Sequence, residues 1–141
     1  MILAAVLAFA GATPAVADAK SHPIHGWFNC SGSKVNYKPL HFFTQTGNSL
    51  AVHITWLPGY EWKSGGIKQS RYGMDLGAKV FKSNNTLEKT WPEKGFDPVT
   101  RYQTLIPAGK YIKDTRFRFY GSMVTNKVGT CYNYWEGNAK Y

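Results

Sequence analysis

The sequence predicts an all-β protein, an antiparallel sandwich or a small barrel, and three observations predict it. Gly and Pro interrupt the chain constantly: there are 14 and 7 of them, and the longest stretch free of both runs from Ala78 to Trp91, with Asn84-Asn85 in its middle. Long helices have little room between such breaks. Several segments alternate apolar and polar residues with period two, which is the pattern of a half-buried strand. Turn signals recur at short intervals, at Thr46-Gly47-Asn48, Pro58-Gly59, Gly65-Gly66, Asn84-Asn85, Pro107-Ala108-Gly109 and Asn126-Lys127.

The first element is read as a targeting segment. Residues 2–12 are almost wholly apolar but too few to span a bilayer. Small residues follow and end at Ala17-Asp18-Ala19, a small-x-small cleavage pattern, with Ala15-Val16-Ala17 as a competing site. No Lys or Arg precedes Lys20, so the usual basic opening is missing. Residues 1–19 are expected to be a secretory signal peptide and residues 20–141 a single β-domain, exported and extracellular. No later segment is apolar enough to anchor the chain.

Strands are expected near 26–29, 34–43, 49–57, 66–72, 77–82, 99–106, 110–120 and 128–134. Leu50, Val52, Ile54 and Trp56 share one face of their strand, with Ala51, His53 and Thr55 on the other. In KYIKDTRFRFYG, Phe117 and Phe119 point to the core, and Arg116 and Arg118 point out with Lys110. Segment 86–98, TLEKTWPEKGFDP, reads as a long loop. Cys30 and Cys131, the two cysteines, lie near the two ends of the exported part. In an oxidising compartment such a pair is most simply a disulfide. The chain-entropy model assigns about 4.7 kcal/mol to a closed loop of about 100 residues.

Charge narrows the partners. Seventeen Lys and Arg oppose eight Asp and Glu, a formal net charge of +9, and losing Asp18 with the signal raises it by one. That excess draws a protein toward anions: small acids, phosphates or an acidic cell-surface polymer. It equally describes a solvated basic surface. No nucleic-acid fold signature is present, which disfavours nucleic acid as the partner. A small anionic ligand or oxidant is the partner expected of a monomer.

Motifs for chemistry are sparse. There is no GxSxG, HExxH, P-loop or GxGxxG pattern. Glu88 and Glu93 lie among lysines and read as their solvated partners rather than as an acid/base pair. The segments 29–31 and 84–86 match glycosylation acceptors, which matters only in a eukaryotic host. The aromatic content is more unusual. ITWLPGYEWKSGG places Trp56, Tyr60 and Trp62 around a Pro-Gly turn, with Lys63, Lys68 and Arg71 following. If exposed, these rings and cations form a platform for a flat or anionic ligand. If Trp56 is core, they do not. A positively charged cleft is expected from Lys63, Lys68, Arg71, Arg101, Lys110, Arg116 and Arg118. The outward row at 116 and 118 reads equally as an edge strand protected by charge.

The histidines are ambiguous. His41 and His53 sit in strand-like segments, where a structural role is commoner than a catalytic one. His22 is third in the exported chain if cleavage follows Ala19. A free amine on Lys20, the amides of Ser21 and His22 and the His22 imidazole then give four nitrogens in a plane, which suits Cu(II) or Ni(II).

Two resemblances add to this reading. WFNCSGS resembles the opening strand of avidins, but the later tryptophan segments of that family have no counterpart, so biotin binding is set aside. HGWFNCSGSKVNYKPL, VHITWLPGYEW and LIPAGKYI, with the Ala-rich signal and the basic exported part, resemble the secreted antioxidant (radical oxygenase) proteins of skin propionibacteria. The resemblance implies an immunoglobulin-like β-sandwich, a positively charged cleft and a radical-quenching role outside the cell. It carries over no catalytic residue. The leading expectation is a secreted antioxidant, an oxidoreductase-like activity assisted by an anionic organic cofactor or Cu(II). The alternatives are a non-enzymatic binding module for an anionic cell-surface or host ligand, and a cationic antibacterial protein.

Overall fold

A computed structural model describes residues 19–28, 33–57, 62–63, 66–67, 72–96, 102–125 and 134–141. Its strands are β1 (Ser21–Trp27), β2 (Val35–Asn36), β3 (His41–Phe42), β4 (Leu50–Trp56), β5 (Trp62–Lys63), β6 (Gly66–Ile67), β7 (Tyr72–Phe81), β8 (Leu87–Phe96), β9 (Gln103–Ile106), β10 (Arg116–Thr125) and β11 (Tyr134–Lys140). They build two main antiparallel sheets packed as a sandwich. One sheet runs β1-β11-β4-β9, and the other runs β2-β10-β7-β8 with β3 also paired to β10. The β5–β6 pair forms a separate two-stranded ribbon. Among the described residues, no helix is long and apolar enough to cross a membrane.

Alternation generates the core. Ile24, Leu50, Val52, Ile54, Trp135 and Ala139 point inward from the four-stranded sheet; Met74, Leu76, Ala78, Val80, Phe117 and Phe119 meet them from the other. Side chains on the two inner faces interdigitate, and this burial is the main stabilising term of a sandwich. Phe43 joins them from the segment after β3, its ring 5.1 Å from that of Phe117. The long β7–β10 ladder pairs Arg116 with Phe81 at one end and Thr125 with Tyr72 at the other.

Several expected boundaries move. The 34–43 strand is two short strands, β2 and β3, on either side of Pro39, whose missing N–H interrupts a ladder. Within the expected 66–72 strand, Gly66–Ile67 forms β6, residues 68–71 lie outside the described residues, and Tyr72 opens β7, which runs straight through Gly77 to take in most of the expected 77–82 strand. The 110–120 strand begins only at Arg116 and continues to Thr125, because Lys113 and Asp114 turn, with Asp114 at φ 65°. The expected strand near 128–134 lies outside the described residues up to position 133; Tyr134–Lys140 forms β11.

The largest correction is at 86–98. It is not a long loop: Leu87–Phe96 forms β8 and pairs with β7 along the sheet edge. An edge strand needs a ladder on one side only, so its polar sequence carries no apolar alternation. Pro92 falls within the register shift between the Leu76↔Lys94 and Ala78↔Trp91 pairs, a place where its missing donor is tolerated. The proposed signal segment up to residue 18, both cysteines, and Tyr60, Lys68, Arg71 and Arg101 lie outside the described residues, as do the side chains of Trp62 and Lys63.

Candidate functional site

The outer face of the four-stranded sheet is built by three neighbouring strands. In β1, Ile24 and Gly26 face inward, so His25 and Trp27 face out. In β11, Trp135, Gly137 and Ala139 face inward, so Tyr134 and Glu136 face out. In β4 the phase changes near its end. The ladder shifts between Glu136↔Trp56 and Gly137↔Ile54, leaving Thr55 as an extra residue. A bulge of this kind re-aims the side chains that follow it. Trp56 therefore does not continue the buried row of Leu50, Val52 and Ile54; it is 37% exposed, and Leu57 takes the inward position. Gly137 permits this close approach, since a Cβ there would sit 2.6 Å from the His53 carbonyl oxygen.

Register brings the outward residues together. Trp27 lies directly opposite Tyr134, and His25, Glu136 and Trp56 form the adjacent row. The Trp27 and Tyr134 rings are 4.8 Å apart, and Trp56 and His25 each stand 6.0 Å from Tyr134. The planes are tilted by 53° for Trp27–Tyr134 and 45° for Trp56–Tyr134. Trp27 is 60% exposed. The Tyr134 hydroxyl donates to Glu136 Oε1 at 2.8 Å, and this bond to the carboxylate, with a smaller contribution from desolvation, raises the phenol above its ordinary pKa. At neutral pH the phenol stays protonated, and Glu136 anchors the centre of the cluster.

The same face carries a second group at its other end. Lys140 Nζ sits 5.0 Å from the Tyr102 ring centroid, His53 packs 5.4 Å from the same ring, and Ser21 and Tyr102 share a hydroxyl–hydroxyl bond of 2.9 Å.

Of the cations expected in a cleft, Lys110, Arg116 and Arg118 are among the residues whose side chains are described. Arg116 and Arg118 are on β10, in the opposite sheet from Trp56, so the structure does not bring them to its rings. Arg116 Nη1 donates to the Ser83 carbonyl at 3.1 Å and to Asn85 Oδ1 at 2.7 Å. Arg118 lies over Phe81, 5.5 Å from its centroid. A cleft of about 600 Å³ does touch Arg116, between the β7–β8 turn and the 112–115 turn. Its lining mixes Lys82 and Lys113 with Glu88 and Asp114, so it is not a uniformly positive site. Lys110 is exposed and lies outside that lining.

Two of the three residues expected to hold a metal through their nitrogens lie in a strand. Ser21 and His22 pair with Lys140 and Ala139 in the β1–β11 ladder. The His22 ring stacks on Tyr141 at 4.5 Å, and its Nε2 is buried with no hydrogen-bond partner. A planar four-nitrogen metal site at Lys20, Ser21 and His22 requires this end of β1 to leave the ladder. Among the described residues, no three His, Cys, Asp or Glu side chains are grouped to hold a metal ion.

Sequence reasoning placed Trp56 at a site but missed Trp27, Tyr134, His25 and Glu136. The alternation of YWEGNAK carried part of the signal. Cross-strand register carried the rest.

No family model matches this chain, and no curated protein matches it. Among solved structures it is similar to one of infectious bursal disease virus Gt strain, at 10% identity and a TM-score of 0.40, covering 86% of this chain. The match spans 29% of that chain, and a likeness at this level carries no argument about function.

Proposed function

We propose that this protein is an exported, non-enzymatic binding module that engages its ligand through the aromatic outer face of the four-stranded sheet. The observation that carries this reading is the cluster of Trp27, Tyr134 and Trp56 on three adjacent strands, facing solvent. Burying a large apolar side chain stabilises a fold by about 1.5–3 kcal/mol, so a sandwich built for stability alone gains nothing from displaying two tryptophans side by side. Exposed aromatic clusters rimmed by polar groups mark interaction surfaces. Tryptophan and tyrosine suit that task because each combines an apolar body with a polar tip.

The test is a titration of the folded protein with neutral polysaccharides and with heparin, followed by tryptophan fluorescence and by retardation in native gels. Binding that is lost in Trp27→Ala and in Trp56→Ala supports the reading. Binding that both variants retain in full places the site elsewhere and overturns it.

A second reading, radical quenching outside the cell, draws on the family resemblance and on the exposure of Trp27, Trp56 and Tyr102, whose rings an oxidant in solution can reach. On this reading the rings are consumed, so quenching is stoichiometric and leaves oxidised side chains. Counting radicals removed per protein molecule, followed by peptide mass analysis, checks it. Many turnovers with intact rings point instead to a bound cofactor.

A further inference from the structure

We propose that the ligand of the aromatic face is a single, extended chain of a neutral β-linked polysaccharide; the inference rests on the binding-module reading and names its substrate class. Three observations carry it.

The first is spacing. Trp27, Tyr134 and Trp56 occupy neighbouring strands β1, β11 and β4. Two strand spacings amount to about 10 Å, so the outer two rings stand apart by roughly the length of two linked sugar units. A chain laid across the strands meets one ring after another. Sugar rings present apolar C–H faces to such side chains and hydroxyls at their edges. His25 and Glu136, in the row beside the rings, are placed to exchange hydrogen bonds with those hydroxyls.

The second is tilt. The Tyr134 plane departs from that of Trp27 by 53° and from that of Trp56 by 45°. A flat crystalline polymer surface cannot lie against Tyr134 and either tryptophan at once. A single chain twists from unit to unit and can turn a face toward each.

The third is charge. The chain as a whole is strongly basic, at +9, yet this cluster has a carboxylate, Glu136, at its centre. Lys140, a cation of this face, is six positions along β11 from Tyr134 and so about 20 Å away, engaged with Tyr102. An anionic polymer meets repulsion at the rings. A neutral chain does not, and Glu136 accepts hydrogen bonds from its hydroxyls.

Affinity electrophoresis distinguishes the possibilities. The full folded protein, Trp27→Ala, Trp56→Ala, Glu136→Gln and Arg118→Ala are run through gels containing hydroxyethylcellulose, a mixed-linkage β-glucan, a glucomannan or heparin, at low and high salt. Sedimentation with microcrystalline cellulose runs in parallel. All four substituted residues are on the surface, and circular dichroism verifies that each variant is folded. The expected result is retardation by at least one neutral soluble polysaccharide, insensitive to salt. It weakens about tenfold, equivalent to about 1.4 kcal/mol, in each tryptophan variant, and is unchanged in Arg118→Ala. Capture by crystalline cellulose without retardation by any soluble chain overturns the single-chain inference. Retardation by heparin alone, abolished by salt but dependent on Trp27 and Trp56, overturns the neutral-glycan inference and leaves the binding module standing. Failure of every probe overturns the inference; heparin retardation unaffected by either tryptophan substitution overturns the underlying reading as well.

Discussion

The two outer faces of the sandwich use the same ingredients differently. On the sheet containing β7, β8 and β10, aromatic rings are covered by cations. Lys34 and Lys79 lie over Tyr120 at 5.8 and 5.3 Å, and Arg118 lies over Phe81. Lys34 also pairs with Glu93 at 2.6 Å, a hydrogen bond and charge that raise its pKa, while the Tyr120 hydroxyl donates to the Trp91 carbonyl. On the opposite sheet, Trp27, Tyr134 and Trp56 pack on one another and face solvent. The first arrangement satisfies itself. The second leaves ring faces for something else to cover. Charge alone pointed to the other sheet, where Arg116 and Arg118 are engaged by their own neighbours.

The largest expected effect breaks the support beneath the aromatic face. Trp135 is 1% exposed, lies on the reverse of β11 between Tyr134 and Glu136, and donates from Nε1 to the Tyr37 hydroxyl at 3.0 Å. Replacing it with Ala should cost about 3–5 kcal/mol in denaturant unfolding and should also weaken ligand binding. Phe119→Ala, on the reverse of the cationic face, should lower stability by a comparable amount and spare binding in whatever fraction remains folded. Equal losses of binding would dissolve the distinction between the faces.

Next in size is the disulfide. The β1–β11 register steps from Ser21↔Lys140 to Trp27↔Tyr134. In the sequence, Cys30 follows Trp27 by three residues and Cys131 precedes Tyr134 by three. Non-reducing peptide mapping of protein produced in an oxidising compartment should recover a Cys30–Cys131 link, and reduction should lower stability by about 2–4 kcal/mol. Two free thiols would remove the covalent tie expected beside the aromatic face.

Acid sharpens the comparison further. Burial lowers the His41 pKa, and the neighbouring His22 lowers it more. His41 Nδ1 lies 3.2 Å from the Tyr141 hydroxyl, with Phe117 and Phe119 against its ring. A histidine whose folded pKa is depressed binds protons more readily in the unfolded chain. Its contribution to stability is therefore complete above the ordinary value of about 6.5 and is lost as pH falls below it. His41→Gln should flatten the stability profile in that range. At the alkaline end, burial pushes the Tyr37 phenol up to about 12, outweighing the bond from Trp135. Stability should fall as pH rises from about 10 toward that value, which ultraviolet titration of tyrosinate can follow.

The smallest effects on folding carry the cleanest functional contrast. Trp27→Ala and Arg118→Ala remove exposed side chains, and each should change stability by no more than about 0.5 kcal/mol. Trp27→Ala should weaken the aromatic-face interaction about tenfold. Arg118→Ala should reduce only salt-sensitive adsorption to heparin, because exposed charges are screened beyond about 8 Å at physiological ionic strength.

The inward rows were legible wherever a strand buries one face. Leu50, Val52 and Ile54, and Phe117 and Phe119, alternate in the sequence and are buried in the fold. β8 was not legible, because the edge of a sheet imposes no apolar pattern on TLEKTWPEKGF. Trp56 was legible as an aromatic but not as an exposed one, since the bulge at Thr55 reverses its direction.

By itself, the sequence determined that this protein is all-β and which residues of its regular strands face the core, because period-two alternation follows from the pleat of a single strand. Only the tertiary structure decided that positions 25, 27, 56, 134 and 136 share one surface. Their meeting depends on which strands become neighbours and on a one-residue shift between β4 and β11. Those are properties of strand pairing, which joins residues far apart in the chain and so leaves no local pattern to read.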